Sequence, residues 1–267
     1  AGGDITTGTN NTLVGGLAGD ALTTGDNNSV LGTSALSAAT KSDRNVAVGK
    51  DALTTLNHTT QTDAYNVAVG FQAGLVMTTG VQNTIVGGLA GDALTDADRN
   101  VALGYNALTT NTVGSRSVAI GTSALSIQNP STATDMYNVA VGDDCGKVIT
   151  TGTFNTLIGG LAGFNLTSGG NNVVVGYEAL KNEDGDGKNT AIGTQTLFTQ
   201  NAGTDAFNTA VGFQAGASVT TGTNNTFVGG LAGDATDDGD ENVAVGRSAL
   251  SANCGDGNTA VGKDAGE

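Results

Sequence analysis

One glycine recurs through the whole chain at a nearly constant spacing, and each copy closes a phrase such as "RSVAIGTSAL" at 116–125. Most copies follow one another at a 17-residue spacing, and the gaps that end at Gly70, Gly142 and Gly212 are longer. A short fixed period indicates that each repeat is one small unit that buries its apolar side chains only by stacking on its neighbours. The sequence therefore predicts a single repeat array over 1–267, with incomplete repeats at both ends. The fifteen closing glycines are Gly15, Gly32, Gly49, Gly70, Gly87, Gly104, Gly121, Gly142, Gly159, Gly176, Gly193, Gly212, Gly229, Gly246 and Gly262.

A second period lies above the first. The longer gaps recur at every fourth repeat, so that four repeats form one super-repeat, such as the 72-residue stretch from Gly15 to Gly87. Related phrases open the successive super-repeats: "NTLVGGLAG", "NTIVGGLAG", "NTLIGGLAG" and "NTFVGGLAG".

The residues before each closing glycine have the pattern of a short β-strand. Val, Ile or Leu stands directly before the glycine, and Val, Thr or Ser stands three before it, as in Val46 and Val48. β-Branched residues in alternation favour strands, and the Gly, Asn, Asp and Thr clusters between the phrases favour turns. We expect an all-β fold, a parallel β-solenoid or β-roll of about fifteen 17-residue coils.

A column of asparagines precedes these strands. The residue four before the closing glycine is Asn in every repeat except one, which has Ser117. Stacked asparagines can pass amide hydrogen bonds from coil to coil, so we expect a structural ladder. Its members are Asn11, Asn28, Asn45, Asn66, Asn83, Asn100, Asn138, Asn155, Asn172, Asn189, Asn208, Asn225, Asn242 and Asn258.

The residue two before the glycine is also apolar in every repeat, which gives the strand two apolar faces. Because a 17-residue coil fills only one interior, a second apolar face needs another covering surface, and an identical chain can supply it. The largest residues of this column, Leu13, Ile85, Leu157 and Phe227, each precede two consecutive glycines. We expect these four residues at the interface of a homotrimer whose chains are intertwined or lie side by side.

Charge excludes several partners. The chain carries 10 Lys and Arg against 25 Asp and Glu, a formal net charge of −15. Such a chain is repelled by phosphate backbones and anionic lipids, so we expect neither nucleic acid nor a membrane as a partner. The chain opens without a methionine or a signal-peptide pattern, from which we expect a processed product or a piece of a longer protein.

The repeats resemble two families. "RSVAIGTSAL" and "NVAVGRSAL" are similar to the head repeats of trimeric autotransporter adhesins, which are left-handed parallel β-rolls in homotrimers. "NTLVGGLAGDALTTGDNNSVLGTSAL" at 11–36 and "YNVAVGFQAG" at 65–74 resemble phage tail-fibre repeats more closely. The resemblance implies the shaft of a trimeric fibre on a virion or at the extracellular surface. Other fibre or virion proteins would then be its neighbours, and the fibre would support host attachment.

Catalysis has little support in the sequence. His58 is the only histidine, and neither a nucleophile elbow nor a phosphate loop is present, so we do not expect an enzyme. Acidic loops at 96–98, 183–187 and 237–241 give a weak possibility of calcium, but they lack a recognised calcium-loop pattern. No other cofactor is expected.

The longer gaps hold three insertions, at 56–65, 127–137 and 199–207, each ending in Tyr or Phe. Insertions in a solenoid emerge on one face. Each insertion is either a structural bulge or a lateral contact for a host-surface glycan or receptor, as in an adhesin filament. The recurring "TT" pairs leave ice binding as a remote alternative. The candidate receptor-contact residues are His58, Gln61, Asn129, Ser131, Asn201 and Thr204.

Overall fold

The computed structural model describes residues 1–185 and 187–266. The chain divides into two compact units, Ala1–Met136 and Tyr137–Glu267. The fold is all-β, with no helix in the described residues, and the strands belong to about fifteen coils whose length matches the sequence repeat. The expected parallel β-solenoid is therefore confirmed.

The first unit forms one parallel sheet in the order β1-β2-β4-β6-β7-β8-β10, with two short pairs, β3–β5 and β9–β11, beside it. Its strands are β1 (Thr12–Val14), β2 (Ser29–Leu31), β3 (Ser42–Asp43), β4 (Val46–Val48), β5 (Thr62–Asp63), β6 (Val67–Val69), β7 (Thr84–Val86), β8 (Val101–Leu103), β9 (Gly114–Ser115), β10 (Val118–Ile120) and β11 (Thr134–Asp135). The short pairs join the first two insertions to the coil before each of them.

The second unit continues the pattern with strands that pair in sequence order. They are β12 (Val139–Val141), β13 (Thr156–Ile158), β14 (Val173–Val175), β15 (Thr190–Ile192), β16 (Thr209–Val211), β17 (Thr226–Val228), β18 (Val243–Val245) and β19 (Thr259–Val261). In both units the register places equivalent positions of adjacent repeats side by side, as in Ala102 beside Ala119 and Leu157 beside Val174.

The closing glycine is required by its conformation and by its neighbour. Its φ lies between +128° and +147° in every coil, a region that side-chain-bearing residues rarely adopt. A Cβ added to Gly104 would lie 2.4 Å from the carbonyl oxygen of Gly121 in the next coil. Backbones of successive coils touch at this corner, which explains why the glycine is the most regular feature of the sequence.

The two faces of each strand have the reverse of their expected positions: the residue two before the closing glycine lies in the coil interior and not at an interface between chains. Ile85, Leu157 and Phe227 are fully buried within a single chain, and Leu13 is half-buried in the first coil. These four residues fill the coil interior together with the alanines of the same column, so they do not line a surface between chains. The residues one and three before the closing glycine point outward instead; Val14 keeps 53% of its surface exposed. The interior is too narrow for two bulky residues per strand, so the column rich in alanine occupies it.

Candidate interaction surface

The outward side of the parallel sheet is the most distinctive surface of each unit. We call it the outward face: the strand residues one and three before each closing glycine, together with two flanking columns. The leading column holds the residue five before the glycine, such as Tyr65, and the trailing column holds the residue one after it, such as Phe71. In almost every coil the leading residue is exposed and adopts a positive φ, which turns the chain into the strand.

Large apolar side chains concentrate on this face. In the second unit it carries all eleven of the large apolar residues that are exposed among the described residues, and in the first unit six of ten. The aromatic members are half exposed: Tyr105 shows 55% of its surface and Phe154 shows 54%. An exposed apolar patch of this extent typically marks a contact with another macromolecule.

Side chains in each flanking column stack along the solenoid. The Arg44 guanidinium lies 5.6 Å from the ring centre of Tyr65, and the Lys50 ammonium lies 5.5 Å from that of Phe71. In the second unit, the rings of Tyr137 and Phe154 are 5.5 Å apart and nearly parallel. Cation–π and stacking contacts of this kind hold flat aromatic surfaces in fixed positions.

The outward face also collects positive charge. Seven of the ten Lys and Arg residues lie in its two columns, compared with only two of the 25 acidic residues, Glu241 and Asp143. Some of these cations are neutralised within the chain, for example by Arg44–Asp63 and Lys188–Asp205 ion pairs. The remaining chain therefore carries most of the acidic charge, and the outward face is apolar, aromatic and basic. The basic members of the columns are Arg44, Lys50, Arg99, Arg116, Lys188, Arg247 and Lys263.

The asparagine column lies inside the corner that precedes each strand. In the first unit, the Asn83 side-chain oxygen accepts a 2.9 Å bond from the backbone N–H of Asn100, and Asn100 does the same for Ser117. The same bond joins Asn155 to the N–H of Asn172 in the second unit. These side chains satisfy backbone groups that the turn would otherwise leave unpaired. Asn11 and Asn258, in the outermost strand-bearing coils, are only half-buried.

The insertion residues do not converge on one site. His58 is 7% exposed, and its ring nitrogens lie 2.8 Å from Ser42 Oγ and 3.0 Å from the Thr79 carbonyl oxygen. The expectation that His58 offers a polar group to a receptor therefore fails, because its ring ties three coils together. The Gln61 side chain is exposed but donates to both carboxylate oxygens of Asp43.

The other insertion residues lie at the surface. Asn129 is exposed, and its side-chain oxygen accepts a 2.8 Å bond from the Thr112 hydroxyl. Ser131 in the second insertion and Asn201 and Thr204 in the third are exposed as well. All three insertions thus present polar groups to solvent, and the first is in addition held to the solenoid through His58 and Gln61.

The "TT" pairs are part of the solenoid's own hydrogen bonding. In several pairs the first hydroxyl donates to a backbone carbonyl of the next coil, as Thr23 does to Thr40 and Thr150 does to Thr167. The donor hydrogens of these hydroxyls are therefore committed to the solenoid.

Cofactor chemistry is not apparent in the described residues. Over 1–185 and 187–266, no group of three or more His, Cys, Asp or Glu is placed to hold a metal ion, and no ligand-sized cavity is found. Of the acidic loop 183–187, Asp186 lies outside the described residues. In the described part of the chain, no helix is long and apolar enough to cross a bilayer.

The two cysteines differ sharply. Both are free thiols; Cys145 is buried at a coil corner and Cys254 is partly exposed. Burial raises the pKa of the Cys145 thiol to about 12, because the charged thiolate would lose its hydration.

Comparison with known proteins gives no assignment: neither a protein-family model nor a curated protein matches this chain.

The outward face was missed by sequence reasoning, although the sequence contains a signal for it. "YNVAVGF" at 65–71 and "FNTAVGF" at 207–213 bracket a strand with two aromatic residues. All four tyrosines of the chain lie in the two flanking columns. Aligning those columns as carefully as the strand would have shown an aromatic and basic surface.

Proposed function

We propose that this chain is a structural shaft of a trimeric fibre, of the kind that supports host attachment in phage tail fibres. The observation that carries the proposal is the outward face, which runs along the sheet of each unit and exposes apolar side chains in successive coils. A catalytic role is not part of the proposal, since the Ser42–His58 pair is buried and no cleft adjoins it in the described residues.

Self-association explains this surface best. Three copies arranged around an axis parallel to the coil-stacking direction would turn their outward faces toward one another and remove them from water. The acidic remainder of each chain would then form the outer surface, which suits a soluble fibre on a virion or at the extracellular surface. Other fibre or virion proteins would adjoin the shaft at its ends.

Light scattering on the purified chain tests the proposal. We expect a particle with three times the 26.1 kDa mass of one chain. Two variants locate the contact: Val245→Asp lies on the outward face at 36% exposure, and Val76→Asp lies off that face at 37% exposure. The first should dissociate the trimer and the second should not. A monomeric wild-type chain would refute the proposal, and equal behaviour of the two variants would place the contact elsewhere.

A second candidate is an extracellular adhesin filament that binds glycans through its insertions. The exposed polar side chains of Ser131, Asn201 and Thr204 favour it, with weak binding per insertion raised by repetition across copies. Glycan-array binding that disappears when the second and third insertions are shortened to the 17-residue spacing would support this candidate. A chain that binds no glycan would exclude it.

A further inference from the structure

We propose that the copies meet coil for coil, so that the leading column of each copy contacts the trailing column of its neighbour at the same coil. The inference rests on the proposed trimer and adds its register. Rotation about an axis parallel to the stacking direction leaves every coil at its own height. Because the strands run across this axis, the trailing column of one copy then lies beside the leading column of the adjacent copy.

Aromatic residues match under this register. One coil in the first unit carries Tyr65 in the leading column and Phe71 in the trailing column, each 50% exposed. The equivalent coil in the second unit carries Phe207 and Phe213, at 52% and 55%. Between copies, these rings would pack against each other and lose their remaining contact with water.

Charges match as well. Glu241 and Arg247 occupy the leading and trailing positions of one coil, both are exposed, and neither forms an ion pair among the described residues. They lie on opposite sides of the strand Val243–Val245, one before it and one after it. In the trimer, Glu241 of one copy would face Arg247 of the next. Arg99 would likewise face Tyr105, a cation opposite an aromatic ring.

One conflict between like charges is resolved inside the chain. In one coil the register opposes two cations, Arg44 and Lys50. Each already has a carboxylate partner in its own chain, Asp63 for Arg44 and Asp51 for Lys50. The repulsion that the register would create is thus cancelled before the copies meet.

One glycine is also explained by the register. Gly160 follows a closing glycine but needs neither a positive φ nor the lack of a side chain, since an added Cβ would come no closer than 3.6 Å to another atom. Its partner in the leading column is Phe154, a ring 54% exposed. A bare backbone opposite a large ring allows the two copies to approach closely.

Charge reversal tests the register. Glu241→Arg should oppose two arginines across each of the three contacts, and Arg247→Glu should oppose two glutamates. We expect each single variant to dissociate at a protein concentration at least tenfold higher than the wild type, and the double variant to regain wild-type association. Asp96→Arg, an exposed loop change away from the outward face, is the control and should leave association unchanged.

A disulfide trap supplies an independent readout. In a Cys254→Ser background, Asn224→Cys and Gly230→Cys place thiols at the two ends of one coil, where only different copies can be bridged. Oxidation should give a covalent trimer on a non-reducing gel, whereas Asn224→Cys with Arg247→Cys, one coil out of register, should give little. A wild-type monomer would overturn the proposed function itself. A wild-type trimer with no rescue by the double charge reversal and no trimer-specific cross-link would overturn the register alone.

Discussion

Replacing Asn83 with alanine tests the asparagine ladder where it is most completely buried. The Asn83 side chain has no exposed surface, and its oxygen accepts the backbone N–H of Asn100 at 2.9 Å. Its amide nitrogen donates to the Ala97 carbonyl at 2.8 Å and to the side-chain oxygen of Asn66 at 3.2 Å. Alanine keeps the strand geometry but removes these three bonds.

The expected cost follows from the groups left without a partner. The Asn100 N–H and the Ala97 carbonyl have no other protein partner within hydrogen-bond distance in the described residues. Each orphaned buried group costs about 1–3 kcal/mol, so the substitution should destabilise this part of the solenoid by about 2–6 kcal/mol. The Asn66 oxygen loses less, because it still accepts the backbone N–H of Asn83 at 2.9 Å.

Hydrogen exchange measures the local stability at the Asn100 amide itself. A local measurement is needed because a repeat array need not unfold in a single step. We expect the Asn100 amide to exchange at least ~30-fold faster in the variant, which corresponds to about 2 kcal/mol. Asn201→Ala, the same chemical change at an exposed insertion, is the control and should have little effect. An unchanged exchange rate at Asn100, with heat stability equal to that of the control, would refute the ladder as a source of stability.

Three further predictions follow from the coil interior and its corners. Gly104→Ala should lower the unfolding temperature, because Gly104 has a φ of +141° and its added Cβ would lie 2.4 Å from a backbone oxygen. Gly88→Ala should not, because the atom nearest to its added Cβ would be 3.7 Å away. Equal unfolding temperatures of the two variants would contradict the corner geometry. Because the pKa of Cys145 is raised to about 12, its thiol stays protonated at pH 8, and mass spectrometry after iodoacetamide treatment should find Cys254 modified first. Phe227→Ala should lower the free energy of unfolding by about 3–5 kcal/mol, because it leaves a cavity in the coil interior, and the denaturation midpoint should fall. An unchanged midpoint would mean that this ring is not packed in the core.

The sequence was sufficient for the solenoid because its period reflects two strict local requirements. The closing glycine has a φ that other residues avoid, and the asparagine four residues earlier satisfies the backbone of the adjacent coil. The glycine recurs in every coil and the asparagine in every coil except that of Ser117, so both appear as columns in an alignment of the repeats. Strand positions follow from these columns, as β8 and its neighbour β10 illustrate.

The interior and exterior of the strand could not be distinguished by polarity, because both faces are apolar. Size distinguishes them: the column that holds Ala47 and Ala68 is inside, and the bulkier Val48 and Val69 are outside. A 17-residue coil encloses little volume, and close packing leaves space for only one large residue such as Ile85 where neighbouring coils supply alanines. The sequence prediction assigned the column of Ile85 to an interface between chains, whereas the structure places it in the coil interior.

His58 shows a different limit of sequence reasoning. A lone histidine in an extruded loop is expected at the surface, but its ring is held by Ser42 and Thr79, which are 16 and 21 residues away in the chain. These contacts depend on how the first insertion folds back to pair β5 with β3. The spacing of the repeats does not specify that the first insertion folds back in this way.

The insertions gain a physical role when they are considered together with the outward face. Each one delivers an aspartate to the cation that opens the preceding strand and places an aromatic residue at the start of the following strand. The ion pairs are Arg44–Asp63, Arg116–Asp135 and Lys188–Asp205. In each of these three super-repeats the longer gap directly follows the coil that opens with the paired cation. Since unpaired cations from three copies would repel one another around a common axis, the insertions remove a charge conflict that association through the outward face would otherwise create. In the proposed trimer the insertions would therefore neutralise and shape the edge of the outward face, a role that does not depend on any glycan contact.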